Sequence, residues 1–332
     1  MSRIVLGLGT SHSPLLVTPP ELWAERARDD LKRQAIQLGD GRVVSYAQLA
    51  EETGERYAPL ATPSYFAQQA QRAQAGLDRL AAELEAAQPD LVVVIGDDQD
   101  ELFKHEHMPA LAVFYGDAIV MHPHGEAVDE LPEWHQRALR GYRQDEAHVL
   151  PGARDYALAL IDGLLERGVD VAAASRVKDP LEAGFGHAFG FVRARLFGER
   201  EIPMLPVMLN TYFAPNVMRP WRCHEVGRLL RAVIEQIDDD RRVAIVASGG
   251  LSHFATDEPL DRGVLAALAA HDAETLRSLR VDALRSGSSE ILNWVMAGGA
   301  FEGLRHAWTD YIPVYRTPAG TGIGLAFAAW RP

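Results

Sequence analysis

Apolar residues fall along the chain in two rhythms. Short unbroken runs rich in β-branched residues, Ile4–Leu8, Leu91–Ile95 and Val243–Ala247, predict strands buried on both faces. Each gives way at once to a small or polar loop: Gly9-Thr10-Ser11-His12-Ser13-Pro14, Gly96-Asp97-Asp98-Gln99-Asp100-Glu101 and Ser248-Gly249-Gly250-Leu251-Ser252-His253. Weaker runs over Ala110–Tyr115, Val169–Ala173 and Pro203–Leu209 predict further strands. Between them, apolar positions recur every three or four residues over Tyr65–Gln88, Asp155–Arg167, His224–Ile237 and Leu260–Leu279, the spacing of helices with one buried face. Strands alternating with helices predict an α/β fold, with a mostly parallel central sheet covered by helices on both faces. Two polar stretches, 26–62 and 122–150, keep neither rhythm and read as loops or small helical excursions over the site. No repeat, low-complexity tract or linker divides the chain, so residues 1–332 read as one domain.

Sheets of this kind bind ligands on the loops beyond the carboxyl ends of their strands. The polar residues there are His12, the run Asp97-Asp98-Gln99, and Ser252-His253. His187 lies in the glycine-rich turn Gly184-Phe185-Gly186-His187-Ala188-Phe189-Gly190, and Glu290 opens a helix for which Ser288 or Ser289 is the expected N-cap. Each residue alone has an ordinary structural explanation. Several histidines and a carboxylate on one sheet edge suit a metal site with open positions. Other motifs are weaker. Gly7-Leu8-Gly9 lacks the third glycine of a dinucleotide fingerprint, and no Walker phosphate loop is present. Ser252 beside His253 hints at a hydrolase, but no G-x-S-x-G elbow accompanies it. His105-Glu106-His107 could bind a metal, but a His-x-His after a strand is more often a set of solvated side chains.

Charge and cysteine content narrow the partners. The formal net charge is −13, which repels phosphate backbones and anionic lipids, so neither nucleic acid nor a membrane surface is expected. The single cysteine, Cys223, excludes an intrachain disulfide and a cysteine-built zinc or iron–sulfur site. No secretory leader is recognisable at the N-terminus, and no window approaches the ~20 apolar residues of a membrane span. A cytoplasmic setting is the expectation.

Six ordered segments carry a resemblance across nearly the whole chain: GLGTSHSPLL, VVVIGDDQDELF, GFGHAFGF, ASGGLSHF, SSEILNWVMAGGAF and DYIPVYRTPAGTGIG. They resemble the class III extradiol ring-cleavage dioxygenases, the family of the protocatechuate 4,5-dioxygenase β subunit, and within it the 3-O-methylgallate dioxygenase branch. The resemblance implies one catalytic extradiol dioxygenase-like domain that uses Fe(II) and O₂ to open the ring of a small aromatic diol. It implies His12 and Glu290 as iron ligands, His187 as the acid–base histidine and His253 in or next to the cleft. Much of the family carries a second iron histidine where this chain has Gln99. Gln99 is the aligned ligand, with Asp98, His105, a histidine of the 122–124 segment, or water as alternatives. Ala159 stands where another family histidine would align, and Ala319 and Gly320 replace a polar substrate-contacting pair. A homodimer, or pairing with a small helical subunit, is also within what the resemblance implies, unless segments 26–62 and 122–150 stand in for that subunit as a lid. Two rival readings remain, a zinc-dependent hydrolase or isomerase built on His12 and Glu290, and a non-catalytic subunit on the same fold.

Overall fold

The computed structural model describes residues 1–124 and 126–332. In chain order the first half contains β1 (Arg3–Thr10), α1 (Trp23–Asp30), β2 (Ile36–Gln37), β3 (Val43–Val44), α2 (Tyr46–Thr53), α3 (Pro63–Ala87), β4 (Leu91–Asp97), β5 (Leu111–Phe114), β6 (Ala118–Val120), α4 (Glu133–Gly141) and β7 (Val149–Pro151). Then follow α5 (Arg154–Leu165), β8 (Ala172–Ala174), α6 (His187–Leu196), β9 (Met204–Leu209), α7 (Pro220–Ile234), β10 (Arg242–Ser248), α8 (Glu258–Ala270), α9 (Ala273–Arg277), α10 (Ile291–Ala300), β11 (Arg305–Tyr315) and β12 (Gly322–Arg331).

Eight strands form one sheet in the order β11-β12-β1-β10-β4-β9-β5-β8. Its centre, β1-β10-β4-β9, is parallel, whereas β12 runs antiparallel to β1 and β5 antiparallel to β9. Strand β4 shows why the centre folds as it does. All of its residues are buried, and they divide by parity: Leu91, Val93 and Ile95 join one core, Val92 and Val94 the other. The first core packs against α5, α7, α8, α9 and α10, and the second against α3 and α6, so both faces of the sheet are covered by helices. Burying an uninterrupted apolar run needs cover on both sides, and the sequence supplies two sets of amphipathic helices to provide it.

The strongest predicted strands coincide with β1, β4 and β10, and most helical stretches match to within a few residues. Leu260–Leu279 is instead two helices, α8 and α9. His271 takes a left-handed φ of 52° between them, and Asp272 caps the second by accepting the backbone N–H of Thr275. The 26–62 stretch holds α1, a small hairpin and α2, which begins with a reciprocal capping box between Ser45 and Gln48. The 122–150 stretch includes α4 and β7, and Gly125 lies outside the described residues. Among the described residues no helix is long and apolar enough to cross a membrane.

Candidate metal centre

The carboxyl ends of three adjacent parallel strands meet at one buried cluster. His12 follows β1, Asp97 ends β4, and Ser248 ends β10 between them. Glu290 arrives from the far end of the chain, immediately before α10. Its approach depends on glycine. A Cβ on Gly9 would overlap the indole ring of Trp294, whose Nε1 donates to the Gly249 carbonyl at 2.7 Å. The bare backbone of β1 lets α10 lie against it, which delivers Glu290 to His12. The expected serine N-cap is not used. Residues Ser286–Glu290 form a 3₁₀ turn, Glu290 itself occupies the cap position, and its carboxylate is directed inward.

His12, Asp97, His187 and Glu290 each offer one ligand atom, and these atoms lie within 4.8 Å of one another. His12 has a defined tautomer. Ser248 Oγ donates to the Ala188 carbonyl at 2.8 Å, so it accepts from His12 Nδ1–H at 2.9 Å. The lone pair of Nε2 is thereby turned to the cluster, 3.1 Å from Glu290 Oε2, and Nε2 has no hydrogen-bond partner among the described residues. A buried, unpartnered imidazole nitrogen facing two carboxylates is a donor set that suits a divalent cation.

The carboxylates are held from behind. Asp97 accepts from Asn293 Nδ2 and from Gln99 Nε2, both at 2.8 Å. Glu290 accepts from Gln99 Nε2 at 3.1 Å and from the Gly250 backbone N–H at 2.5 Å, with His253 Nε2 at 3.3 Å. Burial, and then the nearby charge of Glu290, push the Asp97 carboxyl up from its ordinary value. Burial opposes the charge on Glu290 as well, but His253 and His12 outweigh it and hold that carboxyl well below the usual range.

His187 is the first residue of α6, where Glu101 meets both its backbone and its ring. Glu101 Oε1 accepts the His187 backbone N–H at 3.0 Å and Nδ1–H at 2.8 Å. A Cβ on Gly186 would occupy the space of that carboxylate, which accounts for the glycine before the histidine. Burial works against the imidazolium, yet the charge and hydrogen bond of Glu101, with Asp97 and Glu290 beyond, raise His187 to about 10. Glu101, against its own burial, is brought down to about 2 by His187.

The cluster opens into a cavity of about 270 Å³. Apolar walls come from Leu15, Leu139, Phe254 and Ile323, and polar ones from His253, Tyr142, Arg26 and Arg316. Arg26 belongs to α1, and Trp134 and Leu139 to α4, so the two irregular stretches do cover the site. The Tyr142 hydroxyl is buried without a partner among the described residues, and burial followed by the charge of Glu290 raises it well above its ordinary value.

Of the residues singled out in the sequence, His12, Gln99, His187, His253 and Glu290 all reach this cavity. Gln99 presents its amide N–H, rather than the oxygen a cation takes, to the two carboxylates. Asp98 points elsewhere and accepts the backbone N–H groups of Glu101, Leu102 and Phe103. His105 packs on Phe213, and His122 Nδ1 donates to the Pro180 carbonyl at 2.7 Å, while His124 lines the cavity. Ala319 sits in a small core with Ile36, Val44 and Leu49, and Gly320 closes against Tyr57, so these two positions dock the 26–62 excursion. Glu101, Tyr142 and Arg316 were not singled out, and Asp97 only as part of the run Asp97-Asp98-Gln99, without a ligand role. Parity along β4 identifies Asp97, since it shares the α10 face with Val93 and Ile95.

The profile of the family described as "Catalytic LigB subunit of aromatic ring-opening dioxygenase" matches residues 59–326. The 2,3-dihydroxyphenylpropionate/2,3-dihydroxicinnamic acid 1,2-dioxygenase of Comamonas testosteroni is 27% identical over 186 residues, 54% of this chain and 49% of that protein. Its namesake from Burkholderia vietnamiensis is 28% identical over 170 residues, 51% and 45% of the two chains. The chain spans about half the length of the curated relatives it matches.

Proposed function

The chain belongs to the family of catalytic LigB subunits of aromatic ring-opening dioxygenases, and from that premise we propose that it opens the ring of a catechol- or gallate-type aromatic with Fe(II) and O₂, cutting beside the hydroxyl pair. The observation that carries this reading is the quartet His12, Asp97, His187 and Glu290, buried but for the half-buried His187, three of whose members line a cavity. Relatives named as dioxygenases of dihydroxyphenyl acids support the reaction class. The 3-O-methylgallate-like branch rests on sequence resemblance alone.

In this reading His12, Glu290 and Asp97 hold the ion, with Gln99 fixing the two carboxylates between them. When bound, Fe(II) supplies a meeting point and an electron path for the diol and O₂. His187 takes a phenolic proton and later returns it. In the metal-free site it is an imidazolium, because the charges of Glu101, Asp97 and Glu290 outweigh its burial. With Asp97 and Glu290 engaged in holding a cation, their pull on the His187 proton would be offset, and the ring would be better able to act as a base. His253, whose Nδ1–H is committed to the Leu251 carbonyl at 2.8 Å, turns Nε2 toward the site and steadies a substrate oxygen. The Tyr142 hydroxyl is a donor near it, and the apolar walls exclude water.

A second reading makes His187 a ligand. An imidazole oriented by a carboxylate through its other nitrogen is a frequent arrangement at metal centres, and Glu101 holds His187 in that way. The remaining proposals are a cytoplasmic setting, no nucleic-acid or membrane partner in view of the −13 charge, and a homodimer or small-subunit assembly.

The test is anaerobic loading with Fe(II), a panel of catechols and gallates, and measurement of O₂ uptake with product mass. Uptake matched by ring-opened product supports the proposal. A panel that consumes no O₂, or turnover with zinc in its absence, overturns it. His187→Ala separates the two roles, since a lost base leaves bound metal unchanged and a lost ligand does not.

A further inference from the structure

Asp30 is fully buried at the end of α1 and is shared by three arginines. Its Oδ2 accepts from Arg316 Nε at 2.7 Å and from the Thr321 hydroxyl at 3.0 Å. Its Oδ1 accepts from Arg33 Nε at 3.3 Å and Arg26 Nη1 at 3.4 Å. Asp29, 3.7 Å from Arg26, is the other acid of the group. Three guanidinium groups face two carboxylates, so one positive charge is left without a counterpart.

That surplus has an outlet. The Arg316 side chain is only 4% exposed, and its Nη2 has no hydrogen-bond partner among the described residues. Arg316 and Arg26 both line the cavity that the metal quartet opens into. A buried N–H donor on a permanent cation is costly to leave unpaired unless a ligand fills the place. Guanidinium geometry matches a carboxylate, and Asp30 holds the fork rigid from behind through Nε.

We infer that Arg316, assisted by Arg26, is the anchor for a carboxylate carried by the aromatic substrate, so that the site selects dihydroxylated aromatic acids over uncharged catechols. The inference rests on the ring-opening reading for the hydroxyls and on the arginine cluster alone for the acid. The arrangement gives the substrate two fixed ends: its diol at the quartet, its carboxylate at Arg316, with Leu15, Leu139, Phe254 and Ile323 among the side chains lining the space they share. Burial, then the charge of Arg316, also lowers Arg26 to about 10, a strain that a bound anion relieves.

The experiment uses the full chain without metal, which removes catalysis from the readout. Isothermal titration compares benzoate and 3-phenylpropanoate with their amides, for the unaltered chain and for Arg316→Gln and Arg316→Lys. At least one acid should bind ten-fold or more tightly than its amide. Arg316→Gln should weaken acid binding by roughly 30-fold or more and leave amide binding unchanged. Arg316→Lys, which keeps the charge but not the fork, should retain part of the preference. Equal binding of acid and amide by the unaltered chain overturns the inference, even if no variant folds, and so does a preference that survives Arg316→Gln. Turnover of unsubstituted catechol by the iron-loaded chain bears on ring opening alone, so the two readings fail separately.

Discussion

Ser248 Oγ accepts a hydrogen bond from His12 Nδ1–H at 2.9 Å and donates one to the Ala188 carbonyl at 2.8 Å. One hydroxyl on β10 thus decides which nitrogen of a histidine after β1 is free for a cation. Ser248→Ala removes the acceptor and lets the ring turn or change tautomer. Metal affinity should fall by about 10–100-fold, the usual effect of losing a group that orients a ligand. Competition titration against a chelator measures it, and an unchanged affinity would show that the tautomer does not matter.

Gln99→Leu distinguishes a bridging glutamine from a ligating one. If the amide only joins Asp97 to Glu290, the variant should still bind one equivalent of Fe(II). The metal-free form should lose about 1–3 kcal/mol, because two buried carboxylates lose their shared donor. Elemental analysis together with urea unfolding reads both quantities. Loss of stoichiometric metal would instead return Gln99 to the ligand set.

The Glu101–His187 pair sets a pH signature for the metal-free protein. Glu101 is brought down to about 2, so its stabilisation is present above the unfolded value of ~4.3 and fades as pH falls. His187 is raised to about 10, so its stabilisation is complete below ~6.5 and is lost as pH rises through its folded value. Glu101→Gln should cost about 3 kcal/mol between these limits, with the deficit shrinking on either side. Denaturation midpoints across the pH range test this, and a deficit independent of pH would contradict it.

Gly9→Ala places a methyl group in the Trp294 indole and pushes α10 from β1. A destabilisation of about 1–3 kcal/mol is expected from overpacking. The same displacement moves Glu290, so metal affinity should fall along with the melting temperature. A variant that melts earlier but binds metal as before would show that α10 is not what positions Glu290.

Much of this arrangement was legible in the sequence, for identifiable reasons. The runs of β1, β4 and β10 are continuous because they are covered on both faces, and their carboxyl ends located His12, the Asp97–Gln99 region and the loop of His253. Glu290 and His187 were reached through the resemblance, since each sits in a segment whose local pattern suggests only a helix start. What stayed hidden was long-range or weakly patterned. Strand β12 is rich in alanine and glycine, which disfavour strands on propensity, and it forms because β1 and β11 flank it. Arg316 gave no signal, because its meaning comes from Asp30, Arg26 and Arg33, distant in sequence. Gly7-Leu8-Gly9, weighed as a nucleotide loop, proved to be room for Phe301 and Trp294.

The place of β1 between β10 and β12 has a consequence for how the protein is made. Residues 3–10 are translated long before either of their neighbours, which are both built from residues beyond 240. A growing chain on the ribosome therefore carries an apolar segment with two bare edges until those later residues emerge, a natural client for a chaperone. The metal-binding quartet can form only once Glu290 has been made, because no shorter product brings it to His12.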